Sequence, residues 1–169
     1  IAQIITRGAG RVGDQVYQPE SPWHCPDVKY PPYNPEKAKA LLKEYGKPVT
    51  FKLVTLNNAK FRRGAEIIQE MWAKVGVKGD LEVMSRGAVG FEKGLFEGTF
   101  HAWVQAGINL LHPLMGEIDL HSKDKGNIRR ANSPKIDSAI DALKAASFKG
   151  EKAVYEANCE LEKAKAEVL

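Results

Sequence analysis

His101, Trp103 and Gln105 alternate with small and apolar residues in Gly98-Thr99-Phe100-His101-Ala102-Trp103-Val104-Gln105-Ala106-Gly107. That alternation is the period of a strand with two unlike faces. Phe100, Ala102, Val104 and Ala106 make one face, small and apolar, fit for a core. The other face bears an imidazole, an indole and an amide. Flat aromatics beside a few amides are what small-molecule clefts use for shape and orientation. A lone large aromatic there must be covered by a second layer of helices, by a ligand or by another domain.

Other chemistry-bearing residues fall into weaker patterns. A hydrolase needs a nucleophile beside a base, and the chain has no G-x-S-x-G, H-E-x-x-H or C-x-x-C. His24 and Cys25 are adjacent, so on an extended chain their side chains point apart. His112, Asp119 and His121 are close enough in sequence for a metal site, but their spacing is not diagnostic and they read as loop residues. Gly8-Ala9-Gly10-Arg11-Val12-Gly13 is a literal G-x-G-x-x-G. A dinucleotide fingerprint needs a sustained helix after it. Pro19 and Pro22 interrupt at once, which leaves a flexible Gly-rich turn.

The elements that would position these groups follow from punctuation and period. Five prolines between residues 14 and 33 predict a long loop, with Trp23, Tyr30 and Tyr33 pinning it to the body. Asn34-Pro35-Glu36 opens a helix, Ala38, Leu41, Leu42 and Tyr45 form its buried stripe, and Gly46 ends it. Residues 49–56 alternate as a strand. At Asn57-Asn58 the chain turns into a helix with Phe61, Ala65, Ile68, Trp72 and Val75 inward. A second strand over 77–84 completes a β-α-β unit. A short helix over 85–97 precedes the two-faced strand. Residues 110–132 are the least readable. Ser133-Pro134 starts a helix with Ile136, Ile140 and Leu143 inward, and a last helix from about Glu151 turns Val154, Ala157, Leu161, Ala164 and Val168 to one side. The expected class is α+β: a small mixed β-sheet packed with helices.

Bulk properties narrow the function classes. The chain has 169 residues, 43% hydrophobic and 27% charged, ordinary values for one globular domain. A net charge of +4 comes from Lys and Arg mixed with Asp and Glu, which argues for a solvated surface and against nucleic acid. There is no leader peptide pattern and no run long enough to span a bilayer. The chain starts at Ile1 without Met and stops inside a helical pattern, so a piece truncated at both ends of a longer protein is expected. Cys25, in the Pro-rich loop, and Cys159, in the last helix, read as two unrelated thiols, with a disulfide between them as the alternative.

Tyr33-Asn-Pro-Glu-Lys-Ala-Lys-Ala-Leu-Leu42 resembles the Y-[DN]-P-E-K-A-K-x-L-L segment of the extracellular solute-binding proteins of family 5. These are the dipeptide-, oligopeptide- and nickel-binding components of ABC importers. The order of further segments is similar too. Ser21-Pro22-Trp23 with Pro26-Asp27-Val28 resembles the loop before that helix, and residues 61–83 its next helix and strand. Phe96 to Trp103 resembles the family's strand that ends in its cleft tryptophan, and Asn132-Ser133-Pro134-Lys135-Ile136-Asp137 resembles [SN]-N-P-[KE]-[VI]-D. The similarity runs over essentially the whole chain.

The resemblance implies one lobe of a type II periplasmic-binding-protein-like fold, the C-terminal lobe, spanning residues 1–169 as a single domain. It implies a non-enzymatic binding component that captures a small solute between two lobes, the N-terminal one lying elsewhere in the same chain. Permease subunits in the membrane would be its partners, the location periplasmic or otherwise extracellular and membrane-associated, and no cofactor is required. Trp103 matches the family's cleft tryptophan. Peptide-binding members place an Asp three positions later to hold the ligand's ammonium, and here that position is Ala106. Replacing a carboxylate by a methyl removes the partner a buried ammonium needs. The family's D-[YN]-x-D-P run is also absent, since residues 107–113 read G-I-N-L-L-H-P. The expected ligand-binding set is Trp103, Gln105, Ala106, Asn109, His112 and Asn57, for a solute without a free amine at that spot or one anchored by Asn109 or His112. A metal-assisted hydrolase built on His112, Asp119 and His121, or a receptor lobe without a transport role, are the alternatives.

Overall fold

The computed structural model describes residues 8–9, 13, 15–85, 94, 97–104, 111–115 and 120–168. The chain divides into two compact units, one of Ile1–Arg11 with Tyr33–Gly107, the other of Val12–Pro32 with Ile108–Leu169.

Among the described residues the first unit has three parallel strands in the order β2-β1-β3, with β1 Val49–Leu56, β2 Val77–Met84 and β3 Ala102–Val104. Helix α1 (Pro35–Tyr45) precedes β1, and α2 (Ala59–Ala73) is the crossover from β1 to β2. Parallel neighbours need such a crossover, which makes the expected β-α-β unit. Its start is chemical: Asn58 Oδ1 accepts from Lys60 N at 3.0 Å and Phe61 N at 3.4 Å, satisfying amides a helix leaves open.

The sheet face under α2 is set by a close approach. A Cβ on Gly79 would lie 3.2 Å from both Trp72 Cε3 and Gln69 Cγ, so any larger residue there must push these side chains back by a few tenths of an ångström. Phe51, partner of Gly79 in register, stacks its ring 5.3 Å from that of Trp72. By the pleat, Leu53 and Thr55 share this face with their partners Ala102 and Val104. Leu53, Val54 and Thr55 are essentially inaccessible. Helix α2 buries Gly64, Ala65 and Ile67, while Phe61, Ile68, Trp72 and Val75, assigned inward from sequence, are half-buried. The stripe is rotated toward Gly64 because a helix lying this close to a sheet favours small side chains at the contact.

Helix α1 has the expected ends. Asn34 Oδ1 accepts from Lys37 N at 2.9 Å, and Gly46 takes a left-handed φ of 71° with its N–H on Leu42 O. Its apolar stripe does not become core: no residue of α1 is buried, and Leu41 and Tyr45 are 54% and 62% exposed. Period determines which residues share a face, not whether anything packs on it.

The second unit is a helix pair, α3 (Pro134–Ala146) and α4 (Glu151–Val168), with the loop of residues 15–32. Ile136, Ile140 and Leu143 of α3 meet Val154, Leu161 and Ala164 of α4, with Leu120 and Ala146, in one cluster. Val168, expected on the inner stripe, is 48% exposed. The loop is ordered although it has no regular structure. Gln15 Nε2 donates to the carbonyls of Cys25 (2.8 Å) and Val28 (3.0 Å), while its Oε1 accepts from Cys25 N. Trp23 and Tyr30 do pin it, but Tyr33 is 71% exposed and does not.

The two-thiol reading of the cysteines is overturned. Cys25 and Cys159 form a disulfide with Cα atoms 5.5 Å apart. Their separation of 134 residues gave no local signal, and only the packing of the loop on α4 brings them together.

Helix α4 also buries polar side chains beside its apolar stripe. Asn158, Glu162 and Lys165 are 0%, 0% and 4% exposed. Glu162 pairs with Lys165 at 2.5 Å and accepts from Tyr30 Oη at 3.0 Å, and Asn158 Nδ2 donates to Trp23 O at 3.1 Å. A helix with a greasy stripe and polar flanks reads as a surface helix; here the loop covers one flank.

Candidate functional site

Two of the expected contacts lie at one end of the parallel sheet. Trp103 is opposite Val54 in register, so it lies on the face away from α2, as its alternation with Ala102 and Val104 predicts. It is half-buried. Phe100 was assigned to the opposite face, yet its ring meets Trp103 edge-on with centroids 5.8 Å apart. The strand begins only at Ala102, so alternation does not reach Phe100. Asn57 follows the last residue of β1; its N–H donates to Met84 O at 2.7 Å and its side chain is exposed. Carboxyl ends of parallel strands are where open α/β sheets offer ligand crevices.

β3 is held by side chains as well as by its ladder. Thr55 Oγ1, fully buried, donates to Val104 O at 2.9 Å. His101 N donates to Lys52 O, and His101 Nδ1 accepts from Lys52 N at 2.9 Å. The imidazole that sequence grouped with the ligand-facing residues thus extends the β1–β3 ladder and positions the tryptophan two residues on. Gln105, Ala106 and Asn109, and Asp119 of the metal alternative, lie outside the described residues.

His112 belongs to the second unit. Its ring lies 4.9 Å from that of Trp23 at 71°, an edge-to-face contact, and its Nδ1 accepts from Leu114 N at 3.3 Å. Trp23 is fixed in turn, since Nε1 donates to Leu111 O at 3.2 Å. His121 keeps other company: it is 8% exposed, with Nε2 3.4 Å from Asp141 and Nδ1 3.9 Å from Asp137. Asp137 accepts from Ser122 N at 2.8 Å and Ser122 Oγ at 2.5 Å, and these bonds hold its carboxyl below the usual range. That network ties residue 122 to the first turn of α3 and explains Asp137 in the Asn132-to-Asp137 segment without any ligand. Among the described residues no group of three or more His, Cys, Asp or Glu could hold a metal ion.

A concavity of about 550 Å3 in the second unit is lined by the disulfide, Ala142, Ala146, Lys149, Ala153 and Lys163. Of the expected ligand residues that are described, Asn57, Trp103 and His112, none borders it. Trp23 is the residue the sequence reading placed as an anchor without seeing its partner. Its pairing with His112 spans 89 positions and leaves no periodic trace.

The fold is shared with solved structures of type II periplasmic binding proteins. The NikA structure from Staphylococcus aureus, solved with Ni(L-His)2, superposes on 98% of this chain with a TM-score of 0.77 at 19% identity, the chain covering 36% of that protein. Residues 1–115 match the family model of bacterial extracellular solute-binding proteins, family 5. The chain therefore belongs to that family. Heme-binding protein A of Haemophilus influenzae is 27% identical over 167 residues, 90% of this chain and 30% of that protein. The dipeptide-binding protein of Escherichia coli is 39% identical over 85 residues, 46% of this chain and 16% of that one. The chain thus spans less than a third of the curated relatives it matches.

Proposed function

We propose that this chain is part of the solute-binding component of an ABC importer, acting outside the cytoplasmic membrane. The family match across residues 1–115, which contains the Trp103 strand, carries the reading. The protein captures a small solute by closure between two lobes, this chain supplying part of one, and delivers it to permease subunits. It performs no catalysis. Trp103 and Asn57, with Gln105 and Ala106, are the solute contacts proposed for the first unit, and His112 and Asn109 are proposed separately for the second. The disulfide supports a periplasmic or extracellular location, because such bonds persist in oxidising compartments.

The test is calorimetric titration of the full-length protein with trialanine, hemin and Ni(L-His)2. Saturable binding of at least one is expected, and Trp103→Ala should weaken it by about 30-fold, the loss typical of a buried aromatic anchor. Saturable binding that survives Trp103→Ala unchanged refutes this strand as the cleft wall. No binding of any solute, with no stimulation of the permease's ATPase, refutes the transport role.

A further inference from the structure

The geometry points to His112 as a fixed hydrogen-bond donor that grips a carboxylate of the solute, and not as a ligand to a solute's metal. The inference rests on the solute-capture reading above. It follows from which ring nitrogen is already occupied. Leu114 N, 3.3 Å from His112 Nδ1, can only donate, so Nδ1 must present its lone pair. In the neutral imidazole the proton then resides on Nε2, which makes that nitrogen the donor.

The ring is not free to exchange the two nitrogens. Trp23 meets it edge-to-face at 4.9 Å. The indole is tethered by Nε1 to Leu111 O, its own carbonyl accepts from Asn158 Nδ2, and Cys25 two residues on is bonded to Cys159. Leu114, on the other side, packs against the helix-pair core. Turning the ring over would set a carbon against Leu114 N and leave that amide without its acceptor.

Metal coordination through Nε2 needs the lone pair there and the proton on Nδ1. That proton would face the Leu114 N–H, donor against donor. A carboxylate needs the reverse, an N–H held in place, and a hydrogen bond to an ionised acceptor is among the stronger kinds. Leu111 and Met115, one position before and three after His112 in the chain, are 78% and 59% exposed, so this stretch is open to a solute.

Two measurements on the full-length protein test this. Long-range proton–nitrogen correlation of the imidazoles at alkaline pH, with His112→Asn identifying the resonance, should show the Nε2–H form; an Nδ1–H form overturns the inference. In parallel, trialanine, its C-terminal amide, hemin and iron-free protoporphyrin are titrated against wild type, His112→Ala and His112→Asn. His112→Ala should weaken any carboxylate-bearing probe that wild type binds by about tenfold, hemin and the iron-free porphyrin alike. His112→Asn, which keeps an N–H donor, should recover part of that. A loss confined to hemin, with a Soret shift that disappears in His112→Ala, makes His112 an iron ligand and overturns the inference, as does unchanged affinity. If wild type binds no probe, the solute-capture reading fails for these solutes, while the tautomer spectrum still decides the state of His112.

Discussion

Breaking the Cys25–Cys159 disulfide with a Cys25→Ala/Cys159→Ala double substitution perturbs one covalent bond and leaves the rest of the second unit chemically intact. The bond closes a loop spanning 134 residues of separation. Chain-entropy scaling for a loop of that size gives about 5 kcal/mol near room temperature, the upper end of what native disulfides contribute. Lost packing is a minor addition: Cys25 is 1% exposed, and trimming one sulfur from a buried site costs about 1 kcal/mol. A protein of this size should lose about 10–20 °C in Tm from such a change. Urea unfolding followed by circular dichroism, on the oxidised chain, the chain with reductant and the double variant, measures it. Reduced wild type and the double variant should agree, both well below the oxidised chain. Two reactive thiols in the native, unreduced protein would refute the pairing. A loss of about 1 kcal/mol or less would leave only the sulfur's packing and refute the loop-closure reasoning. The bond also has a positional role, because Trp23 lies two residues before Cys25 and meets the His112 ring.

Three further outcomes follow from buried or close contacts. Glu162→Ala removes one partner of a pair whose side chains are 1% and 6% exposed, and should cost about 3–5 kcal/mol in urea unfolding. A Glu162→Met/Lys165→Met double variant should regain part of that, since both charges of the pair are then removed together. Gly79→Val drives a branched side chain into Trp72 and Gln69, 3.2 Å from where its Cβ begins, and should cost about 1–3 kcal/mol by the same assay. Asp137 has its folded pKa held below the ordinary 3.8 by Ser122, so its contribution is complete above that value and disappears as pH falls through the folded pKa. Asp137→Asn should therefore flatten the acid limb of stability against pH below about 4, with little change in slope near neutrality.

Much of the local structure was legible because its causes are local. Asn34, Asn58 and Ser133 cap their helices through bonds two or three residues long, and each was readable as a start signal. The β-α-β unit followed from two strand periods around a helical one. The face occupied by Trp103 followed from alternation with Ala102 and Val104, confirmed by register against Leu53, Val54 and Thr55. Alternation failed at Phe100, one turn of chain before the strand begins.

What the sequence determined by itself is therefore the β-α-β unit, the helix before it and the helix pair with their starts, and the face of Trp103, along with the family whose motifs it carries; the helix expected over 85–97 lies almost wholly outside the described residues. The tertiary structure alone decided the rest. It joined Cys25 to Cys159, buried Glu162 with Lys165, and left the stripe of α1 exposed. It also turned His101 to the ladder, and it set Trp23 against His112, with Nδ1 of that histidine on Leu114 N. The reason is physical. A cap or a period is satisfied within a few residues of chain, so it is written in neighbouring side chains. A pairing across tens of residues exists only once packing has brought the two surfaces together, and which nitrogen of an imidazole is left for a ligand is settled by whatever packing places against the other.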